Sequence, residues 1–362
     1  METPAALVDM ERVEANLRRV HAYADQYGLK WRPHTKTHKV PELTALQLQA
    51  GASGVTVATP HEAEVMASVA DDIFLAYPPV GTARLARLMR LPPRVRLSVG
   101  LDSREALQGL NAAAREAGRK VGVLVELDLG MRRVGVQTPQ EALVLARAIQ
   151  ASEALEYRGI TFYPGHVRAL LGDQDAALKA LSTELGEVVG ELTRADLRPE
   201  VVSGGSTPTL WRSHEVVGLT EIRPGINIFN DRNTASVGAC GWDEWAYSVL
   251  ATVVSTAVPG QAVIDAGSKA LAKEEGFAPG GGYGVLLEWP EVVVRGLSEE
   301  HGLLDLTETE WRPRVGDRVR VVPNHVCASV NLHERLWAVR GGEVERAWPV
   351  AARGWGTPER QA

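Results

Sequence analysis

The sequence predicts an α/β protein: a TIM-type (β/α)8 barrel followed by a smaller β domain. Three observations lead there. Between about residues 9 and 235, short β-rich runs alternate with amphipathic stretches, the pattern of parallel strands joined by crossover helices. After about residue 240 helical periodicity nearly vanishes and short β-rich runs with turns take over, as in a β-sandwich or β-barrel. The 362 residues also exceed what one hydrophobic core usually spans, so about two domains are expected, 9–235 and then 1–8 with 236–362.

Eight candidate strands can be counted in the first part: Leu29 to Pro33, Val55 to Ala58, Ile73 to Tyr77, Val95 to Val99, Val121 to Leu127, Tyr157 to Tyr163, Glu200 to Ser203 and Glu221 to Ile228. Between them lie helical patterns such as Met10 to Tyr27, Pro60 to Val69, Ser103 to Ala117, Pro139 to Gln150 and Gln174 to Ala195, several opened by Asp, Ser, Thr or Pro. An open doubly wound sheet is the alternative, but it lacks a phosphate fingerprint after the first strand. The glycines of Gly280-Gly281-Gly282-Tyr283-Gly284 come late, between β-like runs, and read as a hairpin loop. In the β domain the runs are Tyr247 to Thr256, Ala262 to Ile264, Tyr283 to Leu287, Val292 to Leu297, Arg318 to Val322, and Val330 on to Val339.

Composition narrows the function. A 45% hydrophobic, 23% charged chain with net charge −6 and mixed signs has no polyanion-binding signature, so nucleic acid is not an expected partner. No run of 18 apolar residues occurs and the N-terminal stretch does not read as a signal peptide, so no membrane partner is expected and the expected location is the cytoplasm. Cys240 and Cys327 are too few to staple a chain of this size and should be thiols.

In a (β/α)8 barrel the chemistry sits at the C-terminal ends of the strands. Here those ends are polar and glycine-rich. The first runs into Arg32-Pro33-His34-Thr35-Lys36-Thr37-His38-Lys39, the fifth into Glu126-Leu127-Asp128-Leu129-Gly130-Met131-Arg132-Arg133-Val134-Gly135, and the sixth into Tyr163-Pro164-Gly165-His166. The seventh gives Ser203-Gly204-Gly205-Ser206-Thr207 and the eighth Arg223-Pro224-Gly225-Ile226-Asn227. Small residues in two successive turns let backbone N–H groups approach an anion, which points to a phosphorylated ligand.

The segment His34 to Lys39 resembles the cofactor-lysine motif of the D-threonine aldolase and D-serine dehydratase family, the metal-dependent branch of fold-type III pyridoxal-phosphate enzymes. The likeness continues through Asp128 to Gly135, Tyr163 to His166, Ser203 to Thr207, Arg223 to Ile226, Asp265-Ala266-Gly267-Ser268-Lys269 and Pro323-Asn324-His325-Val326-Cys327, nearly the whole chain. It implies pyridoxal 5'-phosphate as cofactor, with Lys36 in the Schiff-base position. A lysine at a strand end is usually a solvated surface group, and Lys269 is the rival, but Lys36 alone joins the motif to the barrel mouth. The resemblance further implies that Arg133 contacts the phenolic oxygen, that Tyr163 lies near the pyridine nitrogen, and that Ser203, Gly204, Gly205, Ser206, Thr207, Gly225 and Ile226 hold the phosphate.

The last motif implies a metal. If the segment is extended, residues i and i+2 share one face, and His325 and Cys327 then present an imidazole nitrogen and a thiolate to one ion. Isolated pairs of this kind are mostly structural, and it is the family frame that makes them ligands. A mixed N/S pair suits zinc. The cysteine departs from the His-x-Asp expected of the aldolases and agrees with the dehydratase pattern, whereas Val330-Asn331-Leu332-His333-Glu334 looks aldolase-like. The expected reaction is therefore elimination from a β-hydroxy-D-amino acid to a 2-keto acid and ammonia, with retro-aldol cleavage to glycine and an aldehyde as the alternative. His34, His166 and His333 are candidate auxiliary bases. A racemase would need no metal, and a non-catalytic cofactor carrier would not need the β domain. The family implies a homodimer in which the second domain of one subunit caps the barrel mouth of the other; Trp242 and Trp245 are candidates to line that entrance, with plain packing as the alternative.

Overall fold

The computed structural model describes residues 1–277 and 281–356. The described residues divide into two compact units, one of Val20–Lys36, Val40–Gly225 and those from Gly354 on, the other of Met1–Arg19, Thr37–Lys39 and those between Ile226 and Arg353. Strand β1, Ala5–Asp9, opens the chain and belongs to the second unit.

The first unit is built on eight parallel strands: β2 (Lys30–Trp31), β3 (Val55–Val57), β4 (Asp72–Leu75), β5 (Arg96–Leu101), β6 (Val121–Leu127), β7 (Leu155–Phe162), β8 (Val201–Gly204) and β9 (Glu221–Ile222). Their order is β2-β9-β8-β7-β6-β5-β4-β3. The two ends of this path meet through one parallel bridge, His34 to Thr56, beside which the Thr56 amide donates to the Pro33 carbonyl at 2.8 Å. Every predicted run overlaps one of these strands. All seven residues of β6 are buried, as expected of a parallel strand covered on both faces. The helix starts follow the sequence signals: Thr59 and Ser103 cap Pro60–Met66 and Arg104–Glu116, and Thr138 with Glu141 forms a capping box on Pro139–Gln150.

One boundary is corrected. The run Glu221 to Ile228 is a strand only as far as Ile222, and Ile226–Ile228 is a 3-10 turn. Pro224 has no amide for the ladder, and the Ile226 carbonyl then accepts from both Phe229 and Asn230.

The barrel interior is charged. Arg32 donates to Glu221 at 2.8 Å and to Asp72 at 2.7 Å; the Ser203 hydroxyl donates to Glu221 at 2.6 Å and accepts from Arg223 at 2.6 Å. Arg223 also donates to the Phe162 carbonyl at 2.9 Å, and its guanidinium lies 5.3 Å from the Phe74 ring centroid. Ion pairs enclosed in this way are costly to break, because removing one partner strands a buried charge.

The second unit carries β1 with Tyr247–Ser255 (β10), Gln261–Ile264 (β11), Gly284–Leu286 (β12), Val294–Leu297 (β13), Gly302–Asp305 (β14), Arg318–Pro323 (β15), Arg335–Arg340 (β16) and Glu343–Pro349 (β17). They form a nine-stranded sheet with the path β13-β14-β11-β10-β1-β16-β17, and β15 branches from β10 to pair with β12. The run predicted from Val330 to Val339 is corrected: Val326–Val330 is a short helix, and the strand begins at Arg335. Strand β17 escapes a hydrophobicity pattern because it is nearly all exposed, with only Trp348 buried. Of the expected hairpin loop at 280–284, Gly280 lies outside the described residues, and strand β12 begins at Gly284.

Gly159 brings β7 into close contact with the main chain of β8. It sits within β7 at φ +137°, and a Cβ there would lie 2.0 Å from the Val201 carbonyl oxygen on β8. Gly159→Ala should therefore destabilise the protein by about 3 kcal/mol or more, combining backbone strain with overpacking against main chain. Chemical denaturation checks this; a loss under about 1 kcal/mol would show that the two strands can part at no great cost.

Candidate active site

Lys36 lies in the 3-10 turn Thr35–Thr37 that follows β2. The turn is fixed by its neighbours: Thr35 and Thr37 are fully buried, and the Thr35 hydroxyl donates to the Thr56 carbonyl at 3.1 Å. The Lys36 ammonium lies 5.8 Å from the Tyr163 ring centroid, and the Arg133 guanidinium 5.1 Å from the same ring. Three of the predicted residues, from the ends of three strands, thus converge on one aromatic ring. Gly165 makes room for it, since a Cβ there would fall 2.2 Å from a Tyr163 ring carbon. The rival, Lys269, is an exposed residue paired with Glu300 at 2.6 Å.

His34 joins the same end. Its amide donates to the Pro224 carbonyl at 3.1 Å, which ties the end of the first barrel strand to the turn after the last. Burial, followed by the cations Lys36 and Arg223, holds its imidazole well below the usual pKa, so it is neutral at pH 7. His166 is exposed and packs its ring against Gly130, where a Cβ would meet it at 3.0 Å. The loop that carries Arg133 is held by carboxylates: Asp128 accepts from the amides of Gly130 and Arg132 at 3.0 and 2.9 Å, and Asp102 accepts from Gly135 at 2.8 Å.

The predicted phosphate residues divide by environment. The Ser203 side chain is engaged inside the barrel by Glu221 and Arg223. Gly204 is small because Phe162 requires it, a Cβ there falling 2.4 Å from that ring. Gly205 adopts φ +89°, a conformation side chains avoid, and begins the tight turn in which Ser206 and Thr209 bond each other, the Ser206 amide donating to the Thr209 hydroxyl at 3.2 Å. Ser206 and Thr207 are buried. Gly225 and Ile226 follow Pro224 at the turn bonded to His34.

The second unit places His325 and Cys327 side by side, though not for the expected reason. The segment is not extended: His325 is the N-cap of the helix Val326–Val330, and Cys327 lies in its first turn. The two side chains nevertheless reach hydrogen-bonding distance, because His325 keeps an extended backbone while the helix turns Cys327 back toward it. The Cys327 thiol donates to the Thr37 hydroxyl at 3.3 Å. Among the described residues no group of three or more His, Cys, Asp and Glu is placed to hold a metal ion. His333 donates Nε2–H to the Ala270 carbonyl at 3.0 Å, and burial lowers its pKa. Trp245 is buried beside Val285 and Val322, with its Nε1 donating to the Asp231 carbonyl, and the exposed Trp242 stacks on it at 5.1 Å. Cys240 packs against the same cluster, and burial pushes its thiol up to about 12.

Two residues escaped sequence reasoning. Asp231, fully buried, caps the short helix Arg232–Ser236 and lies 3.3 Å from His325 Nδ1. Glu126, at the inner end of β6, is 6% exposed, with the cations Arg223 and Arg133 and the carboxylates Asp102 and Asp128 around it. A single glutamate inside a valine-rich strand is the signal that was available.

A parallel barrel with a lysine at the end of its first strand, an arginine and a tyrosine beside it and glycine turns after its last two strands defines the alanine-racemase-like class. The family model for the alanine racemase N-terminal domain matches residues 8–233, and the model for a serine dehydratase domain matches residues 246–339. The chain is 33% identical to the D-threonine aldolase of Arthrobacter sp., covering 98% of this chain and 93% of that protein. The structure of D-threonine aldolase from Filomicrobium marinum superposes with a TM-score of 0.91 at 31% identity, covering 98% and 96% of the two chains. D-threo-3-hydroxyaspartate dehydratase from Delftia sp. HT23 superposes with a TM-score of 0.88 at 30% identity, covering 99% and 98%. Solved variants of that dehydratase replace a histidine and, one residue beyond its neighbour, a cysteine; the cysteine variant is in a metal-free form. The chain belongs to the D-threonine aldolase and D-serine dehydratase family of fold-type III pyridoxal-phosphate enzymes. No helix among the described residues is long and apolar enough to cross a membrane.

Burial outweighs the two nearby arginines and raises Glu126 from the ordinary 4.5 to about 7. The folded protein then keeps a proton between those values that the unfolded chain has lost, so this carboxyl lowers stability as pH rises through that window. Glu126→Gln should melt progressively higher than the parent from pH 4.5 to 7, by up to about 3 kcal/mol, and hold that gap above pH 7. Paired melting curves against pH check this; a pH-independent gap would mean that Glu126 titrates normally.

Proposed function

We propose that the chain is a pyridoxal-phosphate- and metal-dependent lyase of β-hydroxy-D-amino acids, favouring elimination to a 2-keto acid and ammonia. The observation that carries this reading is the pair His325 and Cys327, with the Cys327 thiol bonded to Thr37, the residue after Lys36 in the chain. The histidine and cysteine replaced in D-threo-3-hydroxyaspartate dehydratase have the same spacing, and the metal-free state of the cysteine variant supports a ligand role here.

The residues fit both groups. Lys36 beside Tyr163 and Arg133 supplies the amine and the ring contacts, and the Gly205 turn with Ser206, Thr207, Gly225 and Ile226 would hold the phosphate. One imidazole and one thiolate suit zinc better than an oxygen-seeking ion, and two protein ligands leave positions open to water or substrate. When bound, pyridoxal phosphate supplies a Schiff-base carbonyl and an electron-withdrawing ring, and zinc supplies Lewis acidity toward the β-oxygen. Lys36 would hold the cofactor through Nζ and, once the substrate's amine has displaced it, its free Nζ would take the substrate's Cα proton. Arg133 would neutralise the cofactor's phenolic oxygen, and Tyr163 would offer its ring nitrogen a phenol, which unlike a carboxylate would not hold a proton there. Neutral His34 is available as a base at the same strand end. The β-hydroxyl would leave as water, taking up one proton, and the released enamine would tautomerise to an imine whose hydrolysis by one water gives the 2-keto acid and ammonia.

A second reading, retro-aldol cleavage, has its own support in the 33% identity to a D-threonine aldolase. Family membership further supports a cytoplasmic homodimer, which sedimentation and fractionation would test. Borohydride reduction and peptide mapping should place the cofactor on Lys36; label elsewhere would refute the assignment. With D-threonine, D-serine and a 3-hydroxy-D-aspartate as substrates, the expected products are keto acid and ammonia, and both chelation and Cys327→Ala should abolish turnover while the pyridoxal absorbance remains. Glycine plus an aldehyde would overturn elimination, and full activity without metal would overturn the metal role.

A further inference from the structure

An imidazole that ligates a metal must present one nitrogen lone pair, so its other nitrogen must carry the proton and find an acceptor. His325 has such an acceptor in Asp231. The carboxylate is fully buried and its two oxygens divide their work. Oδ1 accepts from the Thr234 amide at 2.8 Å and the Thr234 hydroxyl at 2.5 Å, capping the short helix Arg232–Ser236. Oδ2 faces the other way, accepting from the Val326 amide at 3.1 Å and lying 3.3 Å from His325 Nδ1.

The main chain on both sides is held in place. The Asp231 carbonyl accepts from Trp245 Nε1 at 3.1 Å and from the Ala235 amide at 3.1 Å. The Asn233 amide donates to the Asn324 carbonyl at 3.2 Å, and Arg232 donates to the Asn324 side chain at 3.3 Å, so the two segments are laced together beside the histidine. An ionised carboxylate only accepts, which makes Nδ1 the donor and leaves the Nε2 lone pair for the ion.

We propose that Asp231 is the positioning residue that fixes His325 in the Nδ1-protonated tautomer and aims Nε2 at the metal. The proposal rests on His325 and Cys327 being the ligands. Helix capping alone would need only Oδ1, whereas both contacts of Oδ2 are made to residues 325 and 326. Asparagine separates the two roles. Its oxygen would stay with the Thr234 amide, and its NH2 would then face the Val326 amide, donor against donor. It would also donate to His325 Nδ1, moving the imidazole proton to Nε2.

The test measures zinc affinity of the holoenzyme, stripped of divalent ions, by competition with a chromophoric chelator, together with histidine 15N spectra. Asp231→Asn should weaken zinc binding roughly ten- to hundredfold while pyridoxal absorbance is retained. Thr234→Val, which removes only a capping hydroxyl, should bind zinc as the parent does. The parent's His325 signal should show the proton on Nδ1, and that of Asp231→Asn should show it on Nε2. Parent-like affinity in Asp231→Asn, an equal loss in Thr234→Val, or a proton on Nε2 in the parent would each overturn the proposal. Undiminished zinc binding by His325→Ala would instead refute the ligand assignment on which it stands. The parent spectrum decides the tautomer even if Asp231→Asn does not fold.

Discussion

The first unit depends on one buried cation. Arg223 leaves the end of β9, donates to a β8 hydroxyl and a β7 carbonyl, and so ties the last three strands of the chain's barrel to one another from inside. Burial pulls its pKa down while the carboxylates Glu126 and Glu221 oppose that. Glu221 is the partner that cannot be spared, since it also accepts from Arg32 and from the Ser203 hydroxyl that Arg223 uses, and its loss would leave charges uncompensated in a low-dielectric interior. Arg223 is also the start of the Arg223-Pro224-Gly225-Ile226 turn, so the network that holds the strands also fixes where the proposed phosphate turn starts.

The barrel mouth follows from that constraint. With β9 ended by Pro224, the turn after it can accept the His34 amide, and His34 itself bridges to Thr56. The first and last barrel strands are thereby joined through the residue two positions before Lys36. The lysine stands on a turn whose threonines are fully buried, and it faces a tyrosine seated by a missing Cβ at Gly165. Functional groups placed on so constrained a framework need little reorganisation before they act.

In the second unit the organising element is the lacing of residues 231–234 to 324–326. It makes a short helix with a capping histidine out of a stretch that reads as extended, and it still brings a nitrogen and a sulfur ligand together. The structures of an aldolase and of a dehydratase both superpose on this chain, with TM-scores of 0.91 and 0.88.

Sequence alone determined the strand count of the barrel, its parallel class and the place of Lys36 after its first strand, because each has a local cause. Buried parallel strands are runs of apolar β-branched residues, helix starts carry their caps, and a lysine between two histidines at a strand end is visible without coordinates. The pair His325 and Cys327 was legible from spacing and resemblance, although the conformation inferred for it was wrong. Tertiary structure decided what depends on residues far apart in the chain. It showed that the Ser203 hydroxyl is engaged by Glu221 and Arg223, that Gly204 is small for the sake of Phe162, and that Lys269 is a surface residue. It likewise paired Asp231 with a histidine 94 positions away and enclosed Glu126 among charges from other segments. The physical reason is the same in each case: a propensity belongs to neighbours in sequence, whereas the environment of a buried polar atom is set by whichever strands close around it.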